Sequence, residues 1–551
     1  MRPDRVRLLQ LVILCAVPPA IEAAVLRGVR FTSVLGLAPQ ASAVWPYGTF
    51  HDLLWVLVYH NSWIGFAVEL LATIVLRGLF CAVLIAIAWP TEVPRPSWRR
   101  LAGRNLAISA LATVLLSPWA AIALVTVEVA LSWWIVFELL PLLVLAPLLQ
   151  RGGMVPGWWR GLPSAALVGW AILNFVVLTA AGALVWGVPS WLTVPVAALT
   201  GAANGLLWLR VVRAAVTQEQ VRWRRVPVTP VAFVLVLGLL VFQDDIVALG
   251  QRPTDPPLLR AAAARPEFAN LRYTVLFLDG YETSYDGRLA HEFASAPLML
   301  FSYRGTEADG RPRPYRAQDT HQSVETSARL LADQVDQLHA RTGKPVALVG
   351  VSEGAMIIRY YLGRMPHPAV EAAALASPLI RAGQIYYPPP EASSGWGVAA
   401  GWQLRGIFAL IGTTGRVPND PDEPFLRSLM DEAPFFRNNM FCPVPDVRMV
   451  LFLPIADAVT VPPGAYPELP VYEVTGLHGR LLDRPAELQR LADFLRHGTT
   501  PTHETSWEYE LIEQASGAWQ APALALRLNP AWHYTGQADY ALRRGACAER
   551  G

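Results

Sequence analysis

The chain has 551 residues, more than a single hydrophobic core organises, so two or more domains are expected. Hydrophobic residues make up 53% and charged residues 16%, too apolar a balance for a wholly soluble protein of this size. A net charge of +2, with no basic patch interleaved with aromatics, excludes a nucleic-acid partner.

The apolar excess lies before about residue 245; beyond Arg252 the composition is mixed and globular. A membrane-spanning helix needs about 20 mostly apolar residues, because the hydrocarbon core is about 30 Å thick and each residue rises about 1.5 Å. Seven windows qualify: 8–26, 63–90, 105–126, 129–149, 163–187, 190–209 and 228–243. Residues 1–243 are therefore expected to form a multi-pass helical bundle in contact with membrane lipid. Arginines precede the first window and follow the second, fourth and sixth, among them Arg5, Arg99, Arg160 and Arg213. Basic loops stay on the cytoplasmic side, so the pattern predicts a cytoplasmic N-terminus in the cell membrane and an extracytoplasmic C-terminal half. Ionisable residues are costly in lipid. Glu69 and Arg77, two helical turns apart, are placed to pair with each other or with another span; Glu128 and Glu138 read as structural contacts or, for Glu128, as an interfacial loop position. No matched pair of broken spans suggests a transporter's repeats, so the bundle reads as an anchor and substrate platform.

Cys442 and Cys547 fall in the second half, either as a pair, if that half is exported, or as two unpaired thiols. No Cys/His cluster has metal-ligand spacing, and neither a metal nor a cofactor is expected. Residues 244–270 are polar and proline-marked, a linker. After them, short apolar runs (272–278, 298–303, 345–351, 448–455 and 469–475) read as buried strands. Residues 320–342 between them have apolar positions at helical spacing, with Thr320 as the expected N-cap, and Pro485 to His497 forms a closing amphipathic helix. Strand alternating with amphipathic helix predicts a parallel sheet covered on both faces.

At the end of the third run stands Gly350-Val351-Ser352-Glu353-Gly354. A serine on a tight strand-to-helix turn needs small neighbours at minus two and plus two, and glycine occupies both. A helix predicted from Glu353 to Leu362 directs its dipole and the Glu353 backbone N–H at the place where an oxyanion would form. A serine hydroxyl needs a base, and the base needs an orienting acid. Asp457 follows the run 448–455, and His478 follows 469–475. Among competitors, His503 and His533 follow no clear strand, and Asp446 precedes its strand and so falls at the wrong edge of the sheet.

Residues 271–498 resemble the α/β-hydrolase superfamily, which orders its triad as Ser, Asp or Glu, then His, on consecutive strand ends. The resemblance implies a doubly wound, mainly parallel sheet and acyl transfer through a covalent acyl-serine, with Ser352 as nucleophile, His478 as base and Asp457 as its partner. The family often has His-Gly in the loop after an early strand; this chain has Asp279-Gly280-Tyr281, and Tyr281, with Gly280 next, is the expected second oxyanion N–H donor beside Glu353. Residues 377–446, rich in proline and aromatics, occupy the position of a cap, and the extension 499–551 has no assigned task. The expected activity is cleavage or transfer of an acyl ester, with a lipid or envelope-associated substrate. The alternatives are a transporter or envelope-assembly protein whose hydrolase-like domain only binds, and an amidase or peptidase.

Overall fold

The computed structural model describes residues 3–129, 140–217, 225–241, 268, 271–287, 298–380, 382–383, 385–386, 388–412, 422–455, 457, 468–476, 478, 481–482, 484–501, 506–532 and 547. The N-terminal half is helical: α1 (Pro3–Gly28), α2 (Tyr47–Val58), α3 (Trp63–Ala88), α4 (Trp98–Val129), α5 (Leu140–Gly152), α6 (Ala165–Gly187), α7 (Thr193–Val216) and α8 (Val228–Val241). Among the described residues, five stretches are long and apolar enough to cross a membrane: Arg5–Gly28, Trp63–Ala88, Trp98–Leu124, Ala165–Gly187 and Thr193–Val216. The expected windows 129–149 and 228–243 overlap α5 and α8, which are apolar and are described from residue 140 and up to residue 241, respectively. Residues 130–139, with Glu138, lie outside the described residues.

Helices that are apolar on every side are held by close backbone approach and by hydrogen bonds across their interfaces. At the contact of α1 with α7, a Cβ at Gly201 would fall 2.2 Å from the Cys15 carbonyl oxygen. Asn174 of α6 donates to Asn204 of α7 at 2.5 Å, and Asn204 donates to the Ser42 carbonyl at 3.1 Å. Contacts also sort the ends of the bundle. Asn105, near the start of α4, donates to the Gly153 carbonyl just past α5 (3.1 Å), and the Gly161 N–H donates to the Val226 carbonyl just before α8 (3.0 Å). The chain has thus returned to the starting end of α4 before α6 begins, and reaches it again before α8.

The segment between α1 and α3, expected as a loop, instead fills the bundle. A 3-10 turn (Thr32–Ser42), α2 and the residues between them bury Val34, Leu37, Trp45, Tyr47, Leu53 and Leu57. Proline and glycine interrupt this apolar run too often for a span, and it packs inside the bundle instead. It also supplies the partner of Arg77. Glu69 is exposed, whereas the buried Arg77 donates from Nε to Asp52 of α2 at 2.7 Å, and from Nη1 to the carbonyls of Ala41 (2.9 Å) and Ala43 (3.0 Å). His51 lies between Asp52 and Glu22 of α1, 2.9 Å from each. A buried guanidinium is tolerable only with its charge balanced and its donors used, and this network does both.

Among the described residues, the C-terminal half holds six parallel strands, β1 (Thr274–Leu278), β2 (Leu298–Leu300), β3 (Val346–Val351), β4 (Val370–Ala376), β5 (Arg448–Pro454) and β6 (Val471–Val474), in the order β2-β1-β3-β4-β5-β6. Helices α9 (Val324–Thr342), α10 (Glu353–Arg364) and α14 (Pro485–His497) accompany them. Strands buried on both faces read as continuous apolar runs, and β1 and β3 are buried throughout. The start of α9 differs from expectation. Ser323 caps it, accepting from the Thr326 N–H, because the Thr320 hydroxyl is already engaged with the Ala317 carbonyl and the Glu282 N–H.

Between β4 and β5 lie α11 (Val398–Gly412), α12 (Pro424–Asp431) and α13 (Ala433–Asn439). Phe425, Phe435 and Phe436 join the core of the sheet, while Ala400, Leu404, Met430 and Ala433 join that of the bundle. The C-terminal helix α15 (Trp507–Gly517) and the residues after it also bridge the halves. Tyr509 packs on the sheet side; Ala518, Trp519 and Leu524 belong to the bundle's core. Trp519 stacks on Phe175 of α6 (5.1 Å between centroids) and donates to Thr179 (2.9 Å). Cys442 and Cys547 are joined as a disulfide, which places Cys547 beside α13.

Replacing Asp52 with Ala leaves Arg77 buried without its counter-charge and is expected to cost about 3–5 kcal/mol. Thermal unfolding of the full chain in detergent measures it, with the exposed Glu69→Gln expected to leave the transition within about 0.5 kcal/mol.

Candidate active site

Strand β3 and helix α10 are joined by Ser352 alone, with φ 53° and ψ −113°, a conformation that costs an L-residue energy and must be held by its surroundings. The two glycines make it possible. A Cβ at Gly350 would lie 2.5 Å from the carbonyl carbon of Gly354, and one at Gly354 would lie 2.4 Å from the Leu278 carbonyl oxygen. Helix α10 can therefore start directly against β1. The Ser352 N–H donates to the Ala376 carbonyl at the end of β4 (2.9 Å), pinning the turn to the sheet from the other side.

The residues singled out in the sequence meet here. His478, after β6, places Nε2 2.9 Å from Ser352 Oγ, and its Nδ1 lies 3.2 Å from Oδ1 of Asp457, after β5. Asp457 accepts from Nδ1–H, which leaves Nε2 as an acceptor for the serine hydroxyl. Asp457 is buried, and burial raises its pKa while His478 opposes the shift. Asp446 stands before β5, at the opposite edge of the sheet, as expected; His503 and His533 lie outside the described residues. The loop after β1 runs beside the serine: a Cβ at Gly280 would come within 3.2 Å of Ser352 Cβ. Tyr281 is the next residue. Its ring stacks on His321 (4.8 Å) and on Phe425 (5.3 Å), and its hydroxyl donates to Glu423. His321 in turn lies 2.6 Å from Glu282 and 3.0 Å from Glu423. Burial, then Glu423, holds the Tyr281 hydroxyl protonated by raising its pKa.

Glu353, the first residue of α10, has a buried side chain. Burial raises its carboxyl well above the usual range, the neighbouring Tyr303 opposes this, and Glu282 adds to it. Burial thus disfavours a negative charge on this side chain, next to the place where an oxyanion would form. Tyr303 donates to the Asp279 carbonyl (2.8 Å), so the pocket around Glu353 also steadies the loop that carries Gly280 and Tyr281. Sequence reasoning did not find Tyr303, His321 or Glu423. Nothing in local spacing links Tyr281 to a carboxylate 142 positions later. A cavity of about 700 Å³ beside β2, lined by Met299, Leu300, Arg313 and Arg341 among others, contains none of the residues around Ser352.

No protein-family model matches the sequence, and no curated protein matches it. Among solved structures, the product of the Listeria innocua gene lin2722 is similar over 42% of this chain and 96% of its own, at 12% identity and a TM-score of 0.23, too weak a likeness to bear on fold or activity.

The raised pKa of Glu353 fixes a pH dependence. Its contribution is fully present below the pKa of an unfolded glutamate and is lost as pH rises towards the folded value, so ionisation opposes folding on the alkaline side. Glu353→Gln is expected to flatten the fall in melting temperature between mildly acidic and mildly alkaline buffer; an unchanged slope would contradict a buried neutral acid.

Proposed function

We propose that this chain is a membrane-anchored serine hydrolase of the α/β-hydrolase kind that cleaves acyl esters outside the cytoplasm. The observation that carries the reading is the hydrogen-bonded series Ser352–His478–Asp457, at the ends of β3, β6 and β5. In this reading His478 Nε2 takes the hydroxyl proton as Ser352 Oγ bonds to the acyl carbon, and Asp457 balances the imidazolium. The carbonyl oxygen, now an oxyanion, is met by the backbone N–H groups of Glu353 and Tyr281. When the bond to the leaving alcohol breaks, His478 returns the proton to that oxygen. Water, deprotonated by His478, then releases the acid from the acyl-serine; a second alcohol in place of water makes the same step an acyl transfer.

Two features support the location. The Cys442–Cys547 disulfide suits an oxidising compartment. Arg104 at the start of α4 and Arg160 before α6 sit at one end of the bundle, next to the contacts of Asn105 with Gly153 and of Gly161 with Val226. If α5 and α8 each form part of a pass, seven crossings place the arginines inside and the hydrolase half outside.

A fluorophosphonate probe is expected to label the full-length protein and not Ser352→Ala, and Asp457→Asn is expected to lower kcat by about 10⁴-fold. Equal labelling of wild type and Ser352→Ala would leave a domain that binds without catalysis. Panels of ester and amide substrates separate the esterase from the amidase or peptidase reading. For location, a cysteine at the exposed Arg329 is expected to react with an impermeant thiol reagent in intact cells; protection there would place the domain inside.

A further inference from the structure

Helix α11 of the cap has its polarity reversed for a helix in water. It carries only two strongly polar side chains, Gln403 and Arg405, and both face protein. Gln403 accepts from Ser117 of α4 at 3.0 Å. Arg405 is paired with Asp422 (2.6 and 2.9 Å) and donates to the Pro388 carbonyl (2.6 Å). Val398, Ala400 and Leu404 are buried. The side left open is apolar: Trp402, Gly406, Ala409 and Leu410 follow one another at helical spacing and are exposed, Leu410 to 70%. A solvated helix turns its polar residues out, whereas one in lipid satisfies them internally and shows hydrocarbon.

The position of α11 says what covers that face. Its N-terminal end is bonded to the turn that opens α3: the N–H groups of Gly395 and Gly397 donate to the carbonyls of Asn61 (2.9 Å) and His60 (2.8 Å), and the Ala399 N–H donates to His60 Nε2 (2.8 Å). Immediately beyond, α3 exposes Trp63, Ile64, Val68 and Leu71 along its outer side, on a stretch long and apolar enough to cross a membrane. Ser117 lies 19 residues beyond Trp98, about 28 Å along α4 and so close to one hydrocarbon thickness from its start. Helix α11 is thus packed against α4 and beside the turn from which the exposed apolar side of α3 begins.

We propose that α11 is seated in the lipid leaflet bordering the hydrolase half, and that an acyl ester lying in that leaflet reaches Ser352 sideways, past the cap. The second part rests on the serine-hydrolase reading; the first does not. Two adjacent carboxylates link helix and site. Asp422 holds Arg405 of α11, and Glu423 accepts from Tyr281 in the loop beside Ser352.

The test uses the full chain in phosphatidylethanolamine–phosphatidylglycerol vesicles, with an environment-sensitive dye on Trp402→Cys, Leu410→Cys or, as the aqueous reference, Arg329→Cys. Lipids carrying a doxyl quencher are expected to quench the dyes at 402 and 410 at least about fivefold more than the dye at 329, with the reverse order for iodide in the buffer. Iodide quenching at 410 equal to that at 329, or shielding of 402 and 410 from both quenchers, which would mean a protein cover, overturns the leaflet position. Leu410→Asp is expected to lower the ratio of turnover on a vesicle-embedded long-chain ester to turnover on a short soluble ester by roughly tenfold. An unchanged ratio overturns sideways entry. Failure of the hydrolase reading itself would show separately, as absent fluorophosphonate labelling with the quenching pattern intact.

Discussion

The geometry around Ser352 depends on one backbone approach, that of Gly354 to the Leu278 carbonyl. Because no side chain intervenes at the first turn of α10, the helix starts hard against β1. The residue before it has no room to continue either the strand or the helix. Ser352 is therefore forced into a left-handed conformation, with its hydroxyl lifted off the end of the sheet. The ends of β5 and β6 then bring an acid and a base within hydrogen-bonding distance of one another, and of that hydroxyl, from chain segments more than a hundred residues further on.

Much of this is legible in the sequence, because its causes are local or periodic. Strands buried on both faces must be continuously apolar, so β1, β3 and β5 stand out, and the tight turn after β3 needs glycine on both sides of the serine. Asp457 and His478 are found by asking which polar residues stand just past a strand. The strand β4 is not evident. Val370–Ala376 is mostly alanine, which has low strand propensity, yet a small-residue strand suits the centre of the sheet, where β3 and β5 flank it.

Other features are hidden because their partners are distant. Arg77 reads naturally with Glu69 on the same helix, but Glu69 points outward and the charge is answered by Asp52, from a segment that looks like a loop because prolines interrupt it. Glu423 and Tyr281 meet through the cap, a contact with no counterpart in local spacing.

The insertion of Trp519 between the bundle's aromatic residues has a consequence for how the molecule is made. Its partner Thr179 precedes it by 340 positions, so the spans must be synthesised, and the sheet domain after them, before the tryptophan that fills this place exists. The bundle is the first part to be made and the last to be completed. It also means that neither half is a self-contained piece: a fragment lacking the helices would carry Ala518, Trp519 and Leu524 bare to water, and helices expressed without the final segment would keep an open slot along α6.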